Sequence, residues 1–232
     1  MQMISMHKKN MQRGFTAIEL VVVIAIFGIL SSVVLIRFST FTQGVNIFNT
    51  TQDIALRIKQ AQNSAILGQY PKTSAHAVII DDIANWKPKY GVYFDLATPE
   101  MFSVFFDENT NDVYDNPLDG SPCTAVDGEC IDEIRIAGSQ QELYRICAGD
   151  DCSVEKVALM FQRPFPDLIA TDNGAQNGSP TLFNENIRIV LKSGNDTETT
   201  YRMITITPLG QISVSNVAIE DINTGVQGPG IN

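Results

Sequence analysis

Phe15–Ile36 reads FTAIELVVVIAIFGILSSVVLI, 22 residues with one charged side chain, Glu19. At about 1.5 Å per residue such a helix spans the hydrocarbon core of a bilayer, about 30 Å. Residues 1–14 precede it and hold Lys8, Lys9 and Arg13 with no acid. That charge bias predicts a leader kept on the cytoplasmic side and a body that is exported. A cleaved signal peptide would show a shorter apolar run followed by a small-x-small site. Here the small residue, Gly14, comes before the apolar run, and nothing after Ile36 reads as a cleavage box. A plain signal anchor accounts for length and orientation but not for Glu19. A carboxylate is costly to bury in lipid. The cost is smaller at a helix start, where the dipole favours negative charge, yet the acid still asks for a partner.

The charge balance narrows the function classes. Lys+Arg is 16 against Asp+Glu 26 over 232 residues. Removing the three leader cations from the 16 leaves 13 against 26, a body at −13. Such a body repels phosphate backbones, so general nucleic-acid binding is disfavoured. His7 lies in the leader and His76 is the other histidine, which excludes a multi-histidine metal site. No phosphate-binding glycine loop and no G-x-S-x-G elbow is present.

Arg13-Gly14-Phe15-Thr16-Ala17-Ile18-Glu19-Leu20 followed by VVVIAI resembles the class III signal of type IV pilins and pseudopilins. The order of basic leader, glycine, aromatic, acid and apolar span carries the resemblance. It implies that a prepilin peptidase cuts between Gly14 and Phe15 and that the new Phe15 amine is methylated. It also implies that Glu19 pairs with the Phe15 amine of a neighbouring subunit in a helical filament. The partners implied are other pilin or pseudopilin subunits, the peptidase and an inner-membrane assembly platform. The subunit would be single-pass in the inner membrane, then part of a periplasmic or extracellular filament.

Past the membrane segment the helix continues. Phe38, Phe41, Val45, Phe48, Ala55, Ile58, Ala61 and Ala65 recur mostly at steps of three and four, an amphipathic stripe expected to pack beneath a sheet. Asn46, Asn49, Gln52, Asp53, Lys59, Gln60 and Asn63 supply the polar face. No proline occurs before Pro71, and Gly68 suits a C-terminal cap. The spacing predicts one helix over 15–67, with 15–36 as its transmembrane and assembly segment. Gly44 is its weak point, about 1 kcal/mol poorer than alanine. Many pilins carry proline where this chain has Ile36, so a proline kink is excluded and local melting falls to Ser31, Ser32 and Gly44.

Residues 69–232 read as an exported β-rich domain. AHAVII, YGVYFDL, MFSVFFDE, DEIRIAG, ELYRIC, KVALMFQRP, NIRIVLKSG and YRMITITPLGQISVSN have the β-branched and aromatic content of strands. SGNDTETT reads as a hairpin connection, Asp167–Asn186 as an exposed polar loop, and the last ten residues as a frayed tail. The expected class is α+β: a long N-terminal helix packed on an antiparallel β-sheet domain. AQNSAILGQ, FQRPFPDLI and TITPLGQISV together resemble the GspH/FimT-type minor pilins and pseudopilins. That resemblance implies a low-abundance subunit.

Two constellations in the body carry chemistry. Cys123 and Cys130 enclose six residues, and Cys147 and Cys152 enclose four. Zinc fits the count but not the two-residue knuckle spacing it favours, and an exported domain favours two local disulfides. Asp107, Asn109, Asn111, the Val113 carbonyl and Asp115 fall at positions 1, 3, 5, 7 and 9 of an EF-hand-like calcium loop. Asp112 stands where glycine makes the sharp turn, and Leu118 where a bidentate acid closes the shell. The alternative is a polar hairpin tip before the Pro117 turn. No cofactor is otherwise required. Asn49, Asn177 and Asn195 begin N-x-S/T triplets, which matter only in a host that glycosylates them.

The reading is a structural filament subunit, not an enzyme, of a pilus, type II secretion or competence machine. A tip adhesin or DNA-uptake receptor is the alternative, and DNA would need Arg188, Lys192 and Arg202 in one patch. A membrane-anchored hydrolase is a more distant one, because the sequence shows no nucleophile–base pair.

Overall fold

The computed structural model describes residues 15–69, 87, 89–115, 129–136, 140–174, 179–195 and 198–218. The chain divides into two units, Met1–Thr42 and Gln43–Asn232. The helix α1 runs Ala17–Leu67, 51 residues.

In the first unit, Ala17–Leu35 is long and apolar enough to cross a membrane, with mean hydropathy 2.8 and none of it buried. The helix is unbroken at Ser31, Ser32 and Gly44, the positions to which the sequence leaves any local melting. Ser32 turns its hydroxyl back onto the Ile29 carbonyl at 2.7 Å, so it satisfies its own hydrogen bond without opening the helix. At the other end Gly68 adopts φ +59°. The Gly68 N–H donates to Ala65 O at 3.1 Å and the Gln69 N–H to Ser64 O at 3.0 Å. This double bond pattern closes the helix end as a Schellman cap, and the left-handed φ explains the glycine.

Among the described residues the second unit holds eleven strands in two sheets. The first sheet has the order β3 (Cys130–Arg135), β2 (Met101–Asp107), β1 (Lys89–Asp95), β6 (Lys156–Gln162), β7 (Leu168–Thr171) and β8 (Leu182–Phe183). The second has the order β11 (Ile212–Asn216), β10 (Glu198–Ile206), β9 (Ile187–Asn195), β4 (Gln141–Ala148) and β5 (Asp151–Val154). Every ladder is antiparallel. The class is α+β as expected, with two sheets where the sequence suggested one, because the chain changes sheet after β3, β5 and β8. The expected hairpin between NIRIVLK and RMITIT is the β9–β10 pair, in register from Ile187↔Ile206 to Asn195↔Glu198.

Three expectations need correction or lie elsewhere. Asp167–Asn186 is not simply a loop: Leu168–Thr171 extends the first sheet from β6, and Leu182–Phe183 adds a short edge. The strand β5 went unread because it is four residues with polar ends. AHAVII and the C-terminal tail lie outside the described residues.

One apolar cluster joins α1 to both sheets. Ile47, Ile54, Ile58, Ala61 and Ala65 pack with Val92, Phe94, Leu159 and Phe161 of the first sheet and with Ile146, Ile187, Ile189, Leu191, Ile204 and Ile206 of the second. The predicted stripe is therefore correct at Ile58, Ala61 and Ala65 and wrong further back. Phe38 (63% exposed), Phe41 (69%), Val45 (40%) and Phe48 (43%) stay outside. At about 100° per residue, Val45 and Phe48 project roughly 100–160° away from the line through Ile47, Ile54, Ile58 and Ala65. The period was readable, but two apolar stripes share it and only one is buried in the core between helix and sheets. Gln62 is buried on the same helix, as are Thr50 and Thr51; its Nε2 donates to Pro166 O and Gly210 O, each at 3.0 Å.

Ile58→Ala should lower unfolding free energy by about 2–5 kcal/mol, the range for a fully buried aliphatic truncation. Phe41→Ala should change it by no more than about 0.5 kcal/mol, as for exposed positions. Denaturant unfolding of both variants in detergent measures the contrast, and equal losses would contradict this packing.

Candidate functional site

The helix start is built by its own sequence. Thr16 is the N-cap, and Glu19 stands three residues on. The Glu19 Oε2 accepts the Thr16 N–H at 2.9 Å and the Thr16 hydroxyl at 2.8 Å. The Glu19 N–H in turn donates to Thr16 Oγ1 at 3.3 Å. This is a capping box, and T-x-x-E at residues 16–19 is its sequence signature. Glu19 thus has a partner in its own chain, which the sequence reading did not foresee. Phe15 is 93% exposed, and Gly14 lies outside the described residues.

Of the cysteines, Cys147 and Cys152 form a disulfide across the β4–β5 turn. Cys130, at the start of β3, is also disulfide-bonded. Its expected partner, Cys123, lies outside the described residues, and none of the described cysteines is free.

The expected calcium residues do converge. The turn reverses at Thr110 (φ 60°) and Asp112 (φ 62°), both in the left-handed region. The Asn111 N–H donates to Asp107 Oδ1 and the Asp112 N–H to Asp107 Oδ2, each at 3.2 Å. The Asn109 and Asn111 side-chain amides donate to Asp115 Oδ2 at 2.6 and 2.9 Å, and the Val113 N–H to Asn111 Oδ1 at 2.8 Å. The hairpin end is strapped by β7, whose Thr171 hydroxyl donates to Asp112 O at 3.0 Å. Leu118 lies outside the described residues.

Two charged residues complete the loop that the sequence reading missed. Lys89 opposes Asp107 in the β1–β2 register. Its buried Nζ lies 3.3 Å from Asp107 Oδ2 and 2.6 Å from Asp112 Oδ1. Burial works to lower the Lys89 pKa, but the hydrogen bond to Asp112 and the two neighbouring carboxylates outweigh it and raise it. Glu129, 5% exposed, accepts the Glu108 N–H at 3.1 Å and the Asp115 N–H at 3.0 Å, one on each carboxylate oxygen. Burial, with some help from the Asp107 and Asp115 charges, pushes its pKa up to about 7 against those two hydrogen bonds. Neither residue has a local spacing signal, because strand pairing and a long connection bring them in.

The three cations that a DNA surface would need do not form one patch. Arg188 is buried, with its guanidinium donating to Gly149 O. Lys192 is paired with Glu142 at 2.6 Å, and Arg202 lies over the Phe48 ring at 4.6 Å, facing the helix. Of the sequon asparagines, Asn49 is exposed on α1, Asn195 ends β9, and Asn177 lies outside the described residues. His76 also lies outside them.

Residues 9–35 match the family model of the prokaryotic N-terminal methylation motif. The chain carries the type IV pilin and pseudopilin signature. The match covers the apolar helix and its capping box, and that family is structural rather than enzymatic. Neither the curated proteins nor the solved structures gave a match.

Glu129 sets a pH dependence of known sign. Its folded pKa, about 7, lies above the ordinary 4.5. Its contribution to stability is therefore complete below the lower value and is lost as pH rises through the upper one. With a chelator present throughout, the melting temperature of wild type minus that of Glu129→Gln should fall between pH 5 and pH 8. A difference that is flat or rising across that range would show that burial does not govern this carboxyl.

Proposed function

We propose that this chain is a pilin-like structural subunit, a minor pilin or pseudopilin without catalytic activity, assembled into a filament through its N-terminal helix. The observation that carries the reading is the methylation motif over residues 9–35 on a helix whose Ala17–Leu35 segment is apolar and wholly unburied. A bare apolar surface of that size needs lipid or other helices around it. Membrane first and filament second satisfies both. The leader, residues 1–14, stays cytoplasmic; the peptidase cuts between Gly14 and Phe15; and the body from Gln69 onward is exported. Other subunits of a pilus, type II secretion or competence filament are the partners, reached through the assembly platform.

The finer placement among GspH/FimT-type subunits has one geometric support. The three stretches that carry that resemblance meet at one side chain, Gln62 of AQNSAILGQ. It holds Pro166 of FQRPFPDLI and Gly210 of TITPLGQISV.

Processing tests the reading directly. The mature protein should begin at Phe15 by mass spectrometry, and Gly14→Val should remain fourteen residues longer. A different start would remove the basis for the filament assignment. Glu19 is the assembly residue in this reading, its carboxylate meeting the Phe15 amine of a neighbour. Glu19→Val should insert in the membrane and export its domain, yet be absent from sheared filaments. Its recovery there at wild-type levels would rule out that role.

A further inference from the structure

We propose that the Lys89 ammonium is the resident cation of the Asp107–Asp115 loop, an internal charge set against the acid at the loop's first position. The inference is independent of how the N-terminal helix is used.

The loop has the oxygen spacing of a calcium turn at Asp107, Asn109, Asn111, Val113 and Asp115, with two departures from that pattern. Asp112 stands at the glycine position, and Leu118 stands where the closing acid belongs. The geometry accounts for both. Asp112 adopts φ 62°, the left-handed conformation that glycine would supply, and so the sharp turn is kept. What the aspartate adds is a carboxylate oxygen 2.6 Å from Lys89 Nζ. The closing acid is replaced from outside by Glu129, which accepts the N–H groups of Glu108 and Asp115 and so ties the two ends of the loop together.

Lys89 sits on the acid that would anchor a metal. The Asp107 side chain is 0% exposed, and the ammonium is 3.3 Å from its Oδ2. Calcium binds carboxylate oxygen at about 2.3–2.6 Å, so an ion at Asp107 would sit against an existing positive charge. Asp107 also accepts two backbone N–H groups, and Asp115 is engaged by two side-chain amides. A buried carboxylate needs a counter-charge, and the β1–β2 register supplies one covalently. The loop then keeps its fold in surroundings free of calcium.

The test is thermal melting of the full chain in detergent, in EDTA and in millimolar calcium chloride. Wild type should melt at the same temperature in both. Lys89→Met should melt several degrees lower in EDTA and recover part of that loss in calcium, while Lys89→Met/Asp107→Ala should show no recovery. Lys89→Arg, which keeps the charge, should stay close to wild type and ignore calcium, and it decides the matter if the methionine variant fails to fold. A calcium-dependent rise in wild type or in Lys89→Arg would overturn the proposal. So would a Lys89→Met protein that melts like wild type in EDTA.

Discussion

The two-sheet fold depends on one contact, the apolar line Ile47, Ile54, Ile58, Ala61 and Ala65 of α1 against the inner residues of both sheets. Each sheet presents a row of aliphatic and aromatic side chains to this cluster, and the helix stripe completes its burial. Ile47, Ile54 and Ile58 are each 0–1% exposed. Full burial of such a side chain is worth roughly 1.5–3 kcal/mol, an upper estimate because the unfolded chain is not fully extended. The stripe also explains why a glutamine is tolerated at position 62. Its amide donates to two loop carbonyls, Pro166 O and Gly210 O, and so finds partners for both of its N–H groups; a buried unsatisfied polar group costs about 1–3 kcal/mol.

The sequence makes the helix legible almost to the residue, because its signals are local: an apolar run from Phe15, no proline before Pro71, and Gly68 at the end; the T-x-x-E signature at Thr16–Glu19 is equally local and was missed. Which of its faces is buried was half legible. Phe38, Phe41, Val45 and Phe48 look like better core residues than Ile47 or Ile54, being mostly aromatic, and they repeat at helical steps. Burial follows the phase set by the sheets, however, and hydrophobicity alone does not encode that phase. The strands were read by composition, and most fall where expected. Their division between two sheets was not, since partner choice is a long-range property. A short, polar-ended strand such as Asp151–Val154 carries too little pattern to be seen.

The Asp107–Asp115 loop shows the same limit at a single charge. Its oxygen spacing is local and was read; what neutralises it is not. Lys89 reaches Asp107 because β1 and β2 pair in one register, and a slip of one residue would turn the lysine to the other face. Glu129 reaches the loop from the residue before β3, whose register against β2 shifts between Val104 and Phe105. Local spacing can thus gather the oxygens of a loop while the charge set against them, here Lys89 on Asp107 and Asp112, comes from strand pairing.

The capping box of Glu19 is compatible with the assembly role proposed for it. In the capping box both of its accepted hydrogen bonds fall on Oε2, and Oε1 has no partner among the described residues. A carboxylate accepts about four hydrogen bonds, so the cap leaves capacity for a second, charged donor. The proposed cut between Gly14 and Phe15 also leaves the cap intact, because Thr16 keeps an ordinary amide N–H bonded to Phe15 and only the Phe15 nitrogen becomes an amine. The box therefore holds the carboxylate in one orientation at the helix start, with one oxygen turned to its own backbone and the other open. A second subunit's amine meeting that oxygen finds a charge already fixed in place, and less side-chain entropy is lost on pairing than with a freely rotating glutamate. In the proposed assembly, local helix chemistry and subunit pairing would use different oxygens of the same group, so that one acid could serve both in an otherwise apolar segment.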